Sequence, residues 1–115
     1  MRTAVGGSER ISAYHWFGPE FTKFDEFGLG REDAATARAG ERRDLAIVKT
    51  FKAAVRDLKV DLIGGAAVAT FILAYSADTT EGAVEARLRS TVVLAKRAGS
   101  WRIVHEHFSR LVANP

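Results

Sequence analysis

The chain has no cysteine. Disulfides, thiolate metal sites and cysteine nucleophiles are excluded with it, so side-chain packing alone must hold the fold. No stretch approaches the roughly 20 apolar residues that a membrane-spanning helix needs. The longest candidate, Ala66–Tyr75 (AAVATFILAY), has the length of a strand. MRTAVGGSER at the start contains no apolar segment of a secretory leader, and the expected location is the cytoplasm. No G-x-S-x-G, P-loop or G-x-G-x-x-G motif occurs, and Phe27–Gly30 (FGLG) precedes no phosphate-binding pattern. Charge of one sign is also scarce: 17 basic and 14 acidic residues leave a net +3. Basic clusters at Arg38, Arg42, Arg43 and at Lys96, Arg97, Arg102 are offset by acids such as Glu32, Asp33, Glu41 and Asp44. The dense single-sign stripe of a nucleic-acid binder is missing, so nucleic acid is not an expected partner. The charges read as a solvated surface.

What is present fits one folded domain: 115 residues, 47% of them hydrophobic and 27% charged. Residues 1–10 read as a flexible lead and residues 11–115 as a single domain. Ile11–Phe17 (ISAYHWF) has strand composition and stops at Gly18-Pro19. Phe21, Phe24 and Phe27 lie three apart, which suits either a helical turn or a looped segment. Arg31–Ala46 is rich in Ala, Arg and Glu, with acids at its start and Arg42-Arg43 near its end, the polarity a helix dipole favours. The predicted helix ends between Asp44 and Lys49, and a strand follows Lys49. Leu58, Val60 and Leu62 alternate with Asp57, Lys59 and Asp61, predicting a strand with one dry face. Gly64-Gly65 turns the chain into Ala67–Ser76, apolar on both faces and therefore a covered strand. Asp78–Gly82 is a turn, Ala83–Arg97 a long strand, Arg97–Ser100 a hairpin turn, and Trp101–Leu111 the last strand. One main helix followed by sequential hairpins predicts an α+β domain with a strongly curved antiparallel sheet.

Three stretches carry a resemblance: Asp57–Phe71 (DLKVDLIGGAAVATF), Ser90–Lys96 (STVVLAK) and Gly99–Ser109 (GSWRIVHEHFS). With Gly18–Phe24 (GPEFTKF), they resemble the NTF2-like superfamily, in its SnoaL-like and ketosteroid-isomerase-like branch. The resemblance implies a cone-like bent sheet closed by helices. It also implies frequent dimerisation through the sheet. In some members a carboxylate or His inside the cone moves protons on a small apolar substrate. Such members open with one or two helices before the first strand, whereas here ten residues precede Ile11. The expected fold is thus NTF2-like and N-terminally shortened. No tyrosine or acid from the opening helices can be carried over, and HEHF lacks the His-to-acid spacing of polyketide-cyclase members. A sixteen-residue helix is a rod of about 24 Å, too small to cover a five-stranded sheet. The remainder would be an apolar patch, so self-association as a dimer or tetramer is expected.

Strand alternation sorts the candidate chemistry. Trp101, Ile103, His105, His107 and Ser109 fall on one side, with Arg102, Val104, Glu106 and Phe108 on the other. His105 and His107 then project together, about 6–7 Å apart, facing a ligand pocket or a subunit interface. Two such histidines need a third ligand to hold a metal, and His15 is the only other histidine. No metal or cofactor is expected. Tyr14 and Trp16 share a face opposite His15; Tyr14 could donate to a carbonyl or oxyanion, or serve as aromatic core. Tyr75 follows a buried run and could reach a pocket mouth. Tyr14, His15, Trp16, Tyr75, His105 and His107 are therefore the candidate ligand-binding residues. Asp25 and Glu26 lie among phenylalanines, where burial would raise a carboxyl pKa; solvent exposure is the favoured alternative. Arg87 and Arg89 could form an anion patch or pair with Glu81 or Glu85. Two readings remain open. One is a protein with a pocket for a small hydrophobic ligand, up to an isomerase- or cyclase-like enzyme with a His or carboxylate base. The other is an assembly protein whose cone is filled.

Overall fold

A computed structural model of the chain describes residues 15, 18–28 and 30–111. The expected lead and first strand lie outside these residues, apart from His15, which forms an isolated parallel bridge with Ile103. The elements are β1 (Thr22–Phe24), α1 (Ala34–Ile47), β2 (Val48–Ile63), β3 (Ala66–Thr79), β4 (Gly82–Arg97) and β5 (Ser100–Arg110). They build one sheet in the order β1-β5-β4-β3-β2.

β2 to β5 are joined by hairpins and pair antiparallel. β1 pairs parallel with β5, so the sheet is mixed rather than antiparallel throughout. The segment predicted as a helical turn or loop is thus in part an edge strand. Its backbone is held on both sides: Thr22–Phe24 pairs with His105–His107, and Lys23 exchanges two hydrogen bonds with Glu32. These partners are distant in sequence, and local spacing does not announce them.

α1 begins at Ala34, three residues after the predicted start at Arg31, and Asp33 stands just before it. The Asp33 carboxylate accepts from the Thr36 amide and caps the first turn. It ends at Ile47, and β2 follows with no intervening loop.

β2 is one strand of 16 residues, where the sequence suggested two pieces. The register against β3 shifts between Arg56 and Lys59, and Asp57 takes a φ of +53° there. A short polar side chain tolerates this left-handed geometry better than a branched one does. Another register shift lies between Val93 and Leu94. Bulges bend a strand and add twist, which is how strands this long curve. At the β4–β5 hairpin Ala98 and Gly99 both have positive φ, as a tight two-residue turn demands.

One face of the sheet carries the core; it is called the inner face here. Ala86, Leu88, Ser90 and Val92 alternate along β4 and are all buried on it. Glu106 of β5 lies opposite Val92, and Phe71 and Ala69 of β3 lie opposite Ser90 and Val92. Phe21 is the largest fully buried side chain, with its ring edge-on to His15 at 5.6 Å. α1 packs on the β1 side and buries Ala37.

The dry face predicted for Leu58, Val60 and Leu62 is not dry. These residues are 58%, 52% and 73% exposed, and Val55 and Ile63 are exposed as well. β2 is the sheet edge farthest from β1, beyond the reach of α1.

Phe21 joins the segment before β1 to the core. Phe21→Ala is expected to lower stability by about 3–5 kcal/mol. Urea unfolding followed by circular dichroism should show a lower midpoint at unchanged slope.

Candidate functional site

The inner face carries two polar groups set into apolar surroundings. The first is built by residues from three distant places. His15 Nε2 lies 3.0 Å from Glu106 Oε1 of β5 and 3.5 Å from Glu41 Oε1 of α1. Lys23 of β1 reaches Glu106 at 3.8 Å and lies over the Phe108 ring. His15 and Glu106 are buried, and Glu41 is half-buried with its Oε2 shielded and without a hydrogen-bond partner.

The two carboxyls respond to this setting in opposite ways. Burial pushes Glu41 up, and the nearby His15 and Lys23 only partly offset that. Burial also pushes on Glu106. There the His15 hydrogen bond and the Lys23 charge win, and the carboxyl is held below its ordinary value.

The second group lies farther along the same face. Tyr75 of β3 donates to Glu26 Oε1 at 2.8 Å, and Arg110 of β5 donates to Glu26 Oε2 at 3.0 Å. Glu26 is buried by these partners, with its side chain only 8% exposed, against the favoured expectation of solvent exposure. Burial and the bond to Glu26 both raise the Tyr75 hydroxyl, which stays protonated at neutral pH and remains a donor. Phe51 stacks on the Tyr75 ring at 5.9 Å, and Phe27 lies under the Arg110 guanidinium. An open cavity of about 710 Å³ reaches Tyr75 and Arg110 but is lined largely by the opposite face, by Lys52, Ser76, Glu85 and Arg87 among others.

His105 and His107 lie on the opposite, outer face. His105 Nδ1 is hydrogen-bonded to Thr22 Oγ1 at 2.8 Å, and the Phe24 ring leans on both imidazoles. The expected side for Glu106, away from both histidines, matches the register. Strict alternation along β5 fails at one point. His105 is paired with Val93 and Ile103 with the adjacent Leu94, so Ile103 faces inward, unlike His105. His15 sits with Glu106 on the inner face, so the three histidines do not converge. Tyr14 and Trp16 are outside the described residues. Arg87 and Arg89 form no ion pair among the described residues, with Glu81, Glu85 or any other acid.

Sequence reading missed Glu41 and Arg110, and it considered Glu26 but favoured its exposure. Glu41 sits in an Arg-rich helix and carries no local sign of burial. The pairing of Glu26 with Tyr75 spans 49 residues.

The sequence pattern of the SnoaL-like domain matches residues 13–114. Among curated proteins no match is found. A candidate dehydratase of the NTF2-like family from Streptomyces avermitilis superposes with a TM-score of 0.82 at 16% identity, over 95% of this chain and 85% of that one. An NTF2-like superfamily protein from Salmonella enterica serovar Typhimurium gives 0.80 at 19% identity, over 94% and 80%. A candidate calcium/calmodulin dependent protein kinase II association domain from Xanthomonas campestris gives 0.77 at 18% identity, over 94% and 76%. These likenesses establish the bent NTF2-like architecture with one described helix.

The lowered Glu106 carboxyl sets a pH dependence. Its stabilisation is complete above its unfolded-state value, near 4.5, and is lost as pH falls through its lower folded value. Glu106→Gln is expected to cost roughly 1–3 kcal/mol at pH 7. The difference from the parent should shrink in acid, in urea midpoints taken at pH 7 and pH 3.

Proposed function

We propose that this chain, which belongs to the SnoaL-like domain family, is a self-associating domain that takes a small, largely apolar molecule on its inner face. The carrying observation is an apolar strip beside a donor pair. Val55, Leu73 and Leu88 form one cross-strand row, adjacent to Tyr75 and ending at Arg110. Apolar surface with a few convergent polar groups is the common form of a small-molecule site. Arg110 keeps guanidinium donors beyond the one given to Glu26. They suit a carbonyl or carboxylate on the ligand, while Phe51 and Tyr75 offer flat surface to a ring.

Binding should therefore depend on Arg110 and Tyr75. In calorimetric titrations with hydrophobic carbonyl and carboxylate compounds, Arg110→Ala is expected to weaken a hit about tenfold or more, the usual scale for a lost charged hydrogen bond. Tyr75→Phe should weaken it less. Hits that ignore both substitutions would reject the site.

A second reading is proton transfer at the same place. A carboxylate held by a tyrosine hydroxyl and an arginine, at the end of an apolar cross-strand row, has the chemistry of a base that removes a proton beside a carbonyl. The likeness to a candidate dehydratase supports it. Glu26 would be the base, and Glu26→Gln would abolish turnover while leaving ligand binding.

Self-association follows from β2. Leu58, Leu62 and Ile63 expose apolar side chains on an edge strand whose outer backbone row is unpaired in the sheet. The proposed role of His105 and His107 is with the outer face, as a contact between copies. Sedimentation velocity at micromolar concentration is expected to show a dimer or tetramer. Leu62→Asp combined with Ile63→Asp should yield monomer. A monomeric parent protein would refute self-association without touching the ligand site.

A further inference from the structure

We infer that His15, Glu41 and Glu106 form a binding site for a divalent transition-metal ion. The inference is independent of the ligand site at Tyr75 and Arg110.

The three side chains each offer one donor atom, and these atoms lie within 4.8 Å of one another. Bonds of about 2.0–2.2 Å to nitrogen and oxygen, at angles between octahedral and tetrahedral, place neighbouring ligand atoms about 2.9–3.5 Å apart. The observed separations from His15 Nε2 are 3.0 Å to Glu106 Oε1 and 3.5 Å to Glu41 Oε1. Both separations from His15 fall in that range.

The charges leave room for it. The two carboxylates share the His15 ring; Lys23 Nζ stands 3.8 Å from Glu106, and the charge of Arg38 also acts on Glu41. Glu41 Oε2 is buried with no hydrogen-bond partner. Such an atom is costly to leave unsatisfied, more so when charged, and a cation shared by the Glu41 carboxylate would satisfy it.

The donor set selects the class of ion. One imidazole nitrogen with carboxylate oxygens suits zinc, manganese or ferrous iron. All-oxygen shells suit magnesium and calcium. Three protein ligands leave at least one position for water or a small molecule. Phe21, edge-on to the His15 ring, fixes the imidazole plane. The ion would also tie the segment before β1 to α1 and β5. A protonated His15 between the two carboxylates is the competing occupant of the same space.

The test is calorimetric titration of the chelator-treated full chain with zinc or manganese chloride at pH 7. One ion per chain is expected, with Glu41→Gln and His15→Gln each weakening affinity by at least about tenfold. The double variant His105→Ala, His107→Ala should leave it unchanged. Far-UV circular dichroism checks folding. Glu41→Gln removes a buried charge and keeps the side-chain shape, so it carries the test if His15→Gln misfolds. Absence of saturable binding to the parent overturns the inference. So does affinity indifferent to Glu41→Gln, or affinity lost only with His105 and His107, which would mark a surface histidine pair.

Discussion

Strands β2 and β4 each run 16 residues, and a helix of 14 residues is what the described chain has to lay across them. Everything else in the molecule answers to that mismatch. A flat sheet of such strands would expose most of its inner face. Register shifts bend it instead, at the start of β2, at Asp57 and beside Val104. The bend lets a single helix close the β1 side, where Phe21 and Ala37 reach 1% exposure. At the β2 side the cover runs out, and Val55, Val60 and Leu62 stand open.

The closed end can hold buried charge because water is excluded there. His15, Glu41, Glu106 and Lys23 come from four segments and neutralise one another in part. Isolated, each would be costly to bury. Together they tie the first described residue to the last strand. The open end holds Glu26, which accepts from Tyr75 and Arg110. One gradient of burial thus separates a tight charged knot from an accessible apolar strip. The first suits an ion and the second a small molecule.

The legible parts of the sequence were those written in local chemistry. Alternating residues along β4, the Gly64-Gly65 and Ala98-Gly99 turns, and the acids at the helix start all act within a few residues of themselves. Position 106 illustrates the limit. Alternation separates Glu106 from His105 and His107, yet its partners His15 and Lys23 lie dozens of residues upstream. Val60 and Leu62 illustrate the converse. Their alternation with Lys59 and Asp61 announces a dry face, but whether a face stays dry depends on what packs over it.

By itself, then, the sequence determined the order of helix and strands, the turns and the curved-sheet family, because hydrophobic period and backbone preference are local properties. The tertiary structure decided that Thr22–Phe24 joins β5 in parallel, that His15 meets two glutamates, and that Glu26 is buried under Tyr75. Those pairings depend on which distant segments the bend brings together, and no window of neighbouring residues encodes that distance.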